Sequence, residues 1–160
     1  MAVMRAYRNI IYSLLDFITA QLTADSWTGV RADAAYKAVE DGALPAIVVS
    51  ILDSLPRKKE VGSRTNIETP TIIVRIFAKN DGQRMDLAKW LVDKLNSSDI
   101  VFYTYTIVNG TITAKVANGY LRILRYNDNS KELDGVEDLE VEDKFRHKIS
   151  FDVRAKGVSE

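Results

Sequence analysis

Apolar residues recur at spacings of three and four over Met4–Leu22. Tyr7, Ile10, Ile11, Leu14, Ile18 and Leu22 share one stripe, and Arg8, Asp16 and Gln21 fall off it. A stripe with a period near 3.6 predicts an amphipathic helix packed on a sheet. A second helical pattern follows Asn80 and Asp81, either of which suits an N-cap. Met85, Ala88, Leu91, Val92 and Leu95 form its expected apolar stripe, with Gln83, Arg84, Lys89, Asp93 and Lys94 mostly outside. Asn96-Ser97-Ser98 should end it. Between the two, Asp25–Gly29 reads as a turn. Asp33–Glu40 reads as a short helix stopped by Gly42.

The remaining patterns are those of strands. Ala46, Ile47, Val48, Val49 and Ile51 follow Pro45, a β-branched run expected to be buried on both faces. Over Thr69–Ala78, Ile72, Val74 and Ile76 alternate with Ile73, Arg75 and Phe77, so both faces are apolar and the strand is expected to be central. The polar stretch between these two strands suggests the tip of a long hairpin. Ile100–Val108 and Thr111–Val116 flank Asn109-Gly110, the strongest hairpin signal in the chain, since both residues accept positive φ. Asn118-Gly119 reads as a second turn before a strand over Tyr120–Tyr126. Phe145, His147, Ile149, Phe151 and Val153 alternate with Arg146, Lys148, Ser150, Asp152 and Arg154, a half-buried closing strand. The order lacks a βαβαβ rhythm. It implies an α+β fold: a mixed, largely antiparallel sheet flanked by an N-terminal amphipathic helix and a central helix.

Composition narrows the function classes. The chain has 160 residues, 46% hydrophobic and 28% charged, which suits one domain over 1–160 with mobile loops near 56–66 and 128–143. The absence of cysteine removes disulfides, zinc ribbons and thiol nucleophiles. Basic and acidic residues number 22 each, whereas a general nucleic-acid binder carries a basic excess. No run approaches the roughly 20 apolar residues of a membrane-spanning helix. The opening segment places Arg5 and Arg8 before an apolar stretch, but Asp16 interrupts it and favours an amphipathic helix over a signal peptide.

There is no glycine-rich phosphate loop, nucleophile elbow or zinc-binding helix motif. His147 is the only histidine; its place in the closing alternation reads as a satisfied core or interface side chain rather than a catalytic base. Glu132–Asp143 holds seven acids and no base. Asp134, Glu137, Asp138, Glu140, Glu142 and Asp143 could offer oxygens to a divalent cation, and with it support a small metal-dependent hydrolase or nuclease. The spacing is not that of an EF-hand, and a solvated or protein-binding acidic edge is the plainer reading. Phe102, Tyr103 and Tyr105 could stack the bases of a single strand, though alternating aromatics in a strand ordinarily pack within the sheet. No catalytic, metal or cofactor residues are therefore assigned.

Two charged connections remain. Arg57, Lys58, Lys59 and Arg64 form a basic one, and Glu137, Asp138, Glu140, Glu142 and Asp143 form an acidic one. In a head-to-tail assembly one edge of each subunit meets the opposite edge of the next, and complementary charge sets register. These nine residues are the expected subunit interface, with the basic loop of one copy facing the acidic loop of its neighbour.

In layout, the chain resembles the tail terminator and neck proteins of long-tailed bacteriophages. The resemblance rests on three stretches. These are the opening helix with Ile10-Ile11-Tyr12-Ser13-Leu14-Leu15, the strand–helix unit from Thr69–Ile76 into Met85–Leu95, and the closing strand Lys148–Val153. It covers most of the chain in order without a diagnostic motif. It implies a non-enzymatic virion protein at the tail–head junction, assembled in the host cytoplasm. Such a protein forms a homo-oligomeric, hexameric ring that caps the tail tube, stops its polymerisation and docks the head. Its partners would be the tail tube protein and a head-completion or connector protein, with DNA passing through without specific binding. A head-completion or head–tail joining protein shares the same size and layout.

Overall fold

A computed structural model describes residues 2–34, 43–52, 57–58, 66–67, 69–132 and 145–156. Helix α1 covers Ala2–Ala24 and helix α2 covers Asp81–Ser97. The main strands are β1 (Arg31–Asp33), β2 (Ala46–Leu52), β5 (Thr71–Phe77), β6 (Ile100–Val108), β7 (Thr111–Lys131) and β8 (Arg146–Lys156). They form one sheet in the order β1-β2-β5-β8-β7-β6. Only β1 and β2 pair in parallel; every other neighbour is antiparallel. This is the α+β architecture that the pattern implied.

Both helices bury their stripes on the same face. Ile10, Leu14, Ile18 and Leu22 of α1 meet Ile47, Val49, Ile72, Val74, Ile76, Ile149, Phe151 and Val153 in one cluster. Leu87, Ala88, Leu91 and Leu95 of α2 join it. β5 and β8 are the central pair, which is why both faces of β5 are apolar: Ile73 and Phe77 are buried on the far side from the helices.

The α2 stripe is rotated from the one read in the sequence. Met85 is 53% exposed, while Leu87 is fully buried and Arg84 is 7% exposed. Asn80 is the N-cap, its side chain accepting from the Gln83 N–H at 2.8 Å. That start places positions 84, 87, 88, 91 and 95 inward. A buried arginine is what the pattern could not reveal, since its burial depends on partners distant in sequence.

The hairpin at Asn109-Gly110 is present, with φ of 49° and 78° at the two residues. The second expected turn is not. Asn118-Gly119 lies inside the single 21-residue strand β7. Between Val101↔Tyr120 and Tyr103↔Ala117, β7 carries one residue more than β6, and Gly119 takes φ 91° there. This is a β-bulge, where glycine relieves the positive φ. β7 also carries an additional residue between Thr106 and Ala114's row and that of Ile107, at Leu124, and at Asn127. Such insertions shift the inward side chains, so Leu121, Ile123 and Tyr126 all reach the core side although their numbers change parity.

Other expectations are also settled by position. Asp25–Gly29 is a turn, with Ser26 at φ 59° and Gly29 at φ 80°. Asp33 belongs to strand β1, not to a helix start; residues 35–42 lie outside the described residues. β2 and β5 are antiparallel neighbours, and between them β3 (Arg57–Lys58) pairs antiparallel with β4 (Asn66–Ile67), as in a long hairpin. β7 extends through Lys131, so Asp128–Lys131 is strand and not loop.

Candidate interaction surfaces

β6 is an edge strand, and an edge strand presents unpaired backbone groups that invite further pairing. Here α1 lies along it. The Tyr103 N–H donates to Ser13 Oγ at 2.9 Å, and the Tyr105 N–H donates to Asn9 Oδ1 at 3.2 Å. Residues 9 and 13 are one helical turn apart and residues 103 and 105 point the same way along a strand. Two successive outward donors therefore meet two successive helix side chains. Ser13 is 1% exposed, a polar side chain buried because it serves this edge.

The aromatics read from the sequence divide at this edge. Phe102 is core. Tyr105 donates its hydroxyl to Asp16 Oδ2 at 2.6 Å and packs edge-on to Tyr12 and Tyr103. Lys115, from the facing strand, reaches the same Asp16 oxygen at 2.9 Å and lies over the Tyr103 ring. Burial and the Asp16 carboxylate push the Tyr105 hydroxyl well above the ordinary tyrosine range, so it stays a donor. These rings serve sheet and helix packing.

Beyond Phe102 the β6–β7 ribbon leaves the core. Six more residues of β6 extend it by about 20 Å at the usual rise. Val108 is 51% exposed, Ile112 45% and Val116 67%. A two-stranded ribbon with aliphatic side chains in water is marginal by itself, and such side chains ordinarily find a covering surface.

His147 is fixed rather than available. Arg84 Nη1 lies 2.6 Å from its Nδ1, and Asn129 Oδ1 lies 2.7 Å from its Nε2. An arginine can only donate, so Nδ1 accepts and Nε2 carries the proton that Asn129 receives. Burial, then the Arg84 charge, holds its pKa below the ordinary histidine value, with Asp128 opposing in part. Arg84 in turn donates to Asp81 at 2.8 Å. The network ties α2 to β7 and β8 beside a pocket of about 380 Å³ lined by Met85, Lys89 and Val92. The expectation of a satisfied histidine holds.

The face away from the helices is a ladder of charges. Glu132 meets Arg75 at 3.2 Å and Arg146 at 3.8 Å, and Lys148 meets Asp128 at 3.7 Å. Asp152 accepts from Thr71 Oγ1 at 2.7 Å, Asn127 Nδ2 at 2.9 Å and Arg125 Nε at 2.7 Å. Burial alone would raise the Asp152 carboxyl, but these three donors and the Arg125 charge outweigh it and lower its pKa. No motif announced this ladder; its signal is the even-numbered polar half of the closing strand, Arg146–Arg154.

Of the nine expected interface residues, the described part includes only the backbone of Arg57 and Lys58, in β3. Lys59, Arg64, Glu137, Asp138, Glu140, Glu142 and Asp143 lie outside it, so the structure does not bear on the expected pairing of basic with acidic loop. Among the described residues no group of three or more His, Asp or Glu is arranged to hold a metal ion, and no helix is long and apolar enough to cross a membrane. The chain matches no family model and no curated protein.

Proposed function

We propose that this chain is a structural subunit resembling a phage tail terminator, whose copies close into a ring that caps a tail tube and offers a docking surface to the head. The observation that carries the reading is the β6–β7 arm. It projects beyond the core and leaves Val108, Ile112 and Val116 45–67% exposed. Nearer the core, Ser13 and Asn9 shield the β6 edge at the Tyr103 and Tyr105 N–H groups. A chain that shields the base of the β6 edge and leaves exposed aliphatic side chains on both strands of the arm beyond it is suited to receive a neighbour on the arm. Completing the burial of three aliphatic side chains contributes roughly 1 kcal/mol each, repeated at every contact of a closed ring.

The test is assembly state. Mass measurement and electron micrographs of the purified chain, alone and with tail-tube protein, should show rings or capped tubes. The variant Val108→Lys/Ile112→Lys/Val116→Lys should keep its circular dichroism and lose the assembly. Equal assembly by that variant, or no oligomer of the parent under either condition, refutes the reading. Capture of a connector protein but not of tube protein would place the chain on the head side of the junction.

A further inference from the structure

The charge ladder on the helix-free face changes character at one end. From Asp152 to Arg146 along β8, each charged side chain meets an opposite charge on β7 or on Glu132 just past its end. Past Asp152 the register brings Arg154 opposite Arg122, and Lys156 opposite Tyr120. These four residues sit two apart on adjacent strands and so share one face. Leu121, Ile123, Val153 and Ala155, which alternate with them, belong to the core side. Arg122 and Lys156 are exposed and Tyr120 is 55% exposed. Among the described residues none of the three cations has an ion pair, and Asp99, which lines the adjoining pocket with Arg122 and Lys156, reaches neither. Like charges directly opposite in a sheet are destabilising. The same chain avoids that arrangement in the rows just beyond.

We infer that Arg122, Arg154 and Lys156, with Tyr120, form a docking plate for the acidic segment 134–143 of a second copy of this chain. Charge complementarity selects the occupant: that segment carries Asp134, Glu137, Asp138, Glu140, Glu142 and Asp143 without a compensating base. Chain length selects the second copy. The segment is tethered at Glu132, whose N–H bonds the Arg146 carbonyl, and at Phe145, whose carbonyl accepts from Ala78. Twelve residues held at both ends reach out at most about 23 Å, half their extended length. Arg154 is eight residues from Arg146 along β8, about 26 Å away. Within one chain only the apex of a fully taut segment could bring a carboxylate to Arg154, so the acids cannot lie across their own plate together. Acid at one end of the β7–β8 ribbon and base at the other make a head-to-tail contact, the kind that closes rings. The inference rests on the self-assembly reading for its purpose, but its physical claim is the contact alone.

The experiment uses a fluorescent peptide of residues 132–143 and the whole protein, read by anisotropy at low and high salt. The peptide should bind the parent chain, and binding should weaken as salt rises. Arg154→Glu removes one cation and gives Arg122 an opposite charge across the strands, so the variant should fold at least as stably and bind the peptide about tenfold or more weakly. The double variant Arg122→Ser/Arg154→Ser should weaken it likewise. No binding at low salt, undiminished binding by Arg154→Glu, or tighter binding of a single-stranded oligonucleotide than of the peptide overturns the inference. Because the assay needs no ring, a chain that binds the peptide but never assembles keeps the contact and removes the proposed function.

Discussion

Replacing Ser13 by alanine isolates the shielding of the β6 edge. The Ser13 hydroxyl is 1% exposed and accepts the Tyr103 N–H at 2.9 Å. Without it, that amide loses its partner in a partly buried site, which costs about 1–3 kcal/mol. Alanine is the better helix former and returns up to about 0.5 kcal/mol. The net loss is about 1–2 kcal/mol, or roughly 3–6 °C in Tm for a domain of this size. Asn9→Ala should cost less, about 0.5–1 kcal/mol, because Asn9 is only partly buried and its bond is longer, 3.2 Å. Urea unfolding followed by circular dichroism gives the stability, with an unchanged m-value expected if only this bond is lost. Amide hydrogen exchange gives the location: Tyr103 should exchange faster in Ser13→Ala, and Tyr105 faster in Asn9→Ala. If Ser13→Ala is as stable as the parent and Tyr103 exchange is unchanged, the hydroxyl does not hold the edge.

Three further outcomes follow from the packing. Leu87→Ala should destabilise by about 2–5 kcal/mol as a fully buried leucine, whereas Met85→Ala should stay within about 0.5 kcal/mol; thermal melts of the two variants decide the phase of α2. Gly119→Ala should cost about 1–3 kcal/mol because φ 91° strains any side chain, and the same change in a flexible turn would be milder in chemical denaturation. Stability should fall as pH drops below about 6.5, because the unfolded histidine takes up a proton that folded His147, with its lowered pKa, resists. His147→Gln should flatten that stretch of a Tm-against-pH curve, and an identical slope in both proteins would refute it.

The sequence revealed most where one period ran unbroken. The α1 stripe, the β2 and β5 runs, the Asn109-Gly110 hairpin and the closing alternation were all legible, because burial followed the local repeat. From the sequence β7 reads as two strands because Asn118-Gly119 has the chemistry of a turn; a bulge asks the same positive φ of glycine, and only the partner strand distinguishes them. Arg84 reads as exposed because its burial depends on His147, 63 residues away. The candidate surfaces were less legible still. The edge shield joins residues 90 and 96 positions apart, and the plate appears only once strand register sets Arg122 against Arg154.

That separation between α1 and β6 also sets an order of events at the ribosome. At roughly 5–20 residues per second, Ser13 emerges about 5–20 s before Tyr103. The helix that will guard the strand is therefore already made when the strand appears, and contact waits only for closure of a long loop, whose entropic cost grows slowly with length. A nascent β6 is born facing its guard. A circular permutant that moves α1 behind β8 would reverse the sequence, leaving a bare strand edge during synthesis, and should yield more aggregate from cells while refolding normally from denaturant.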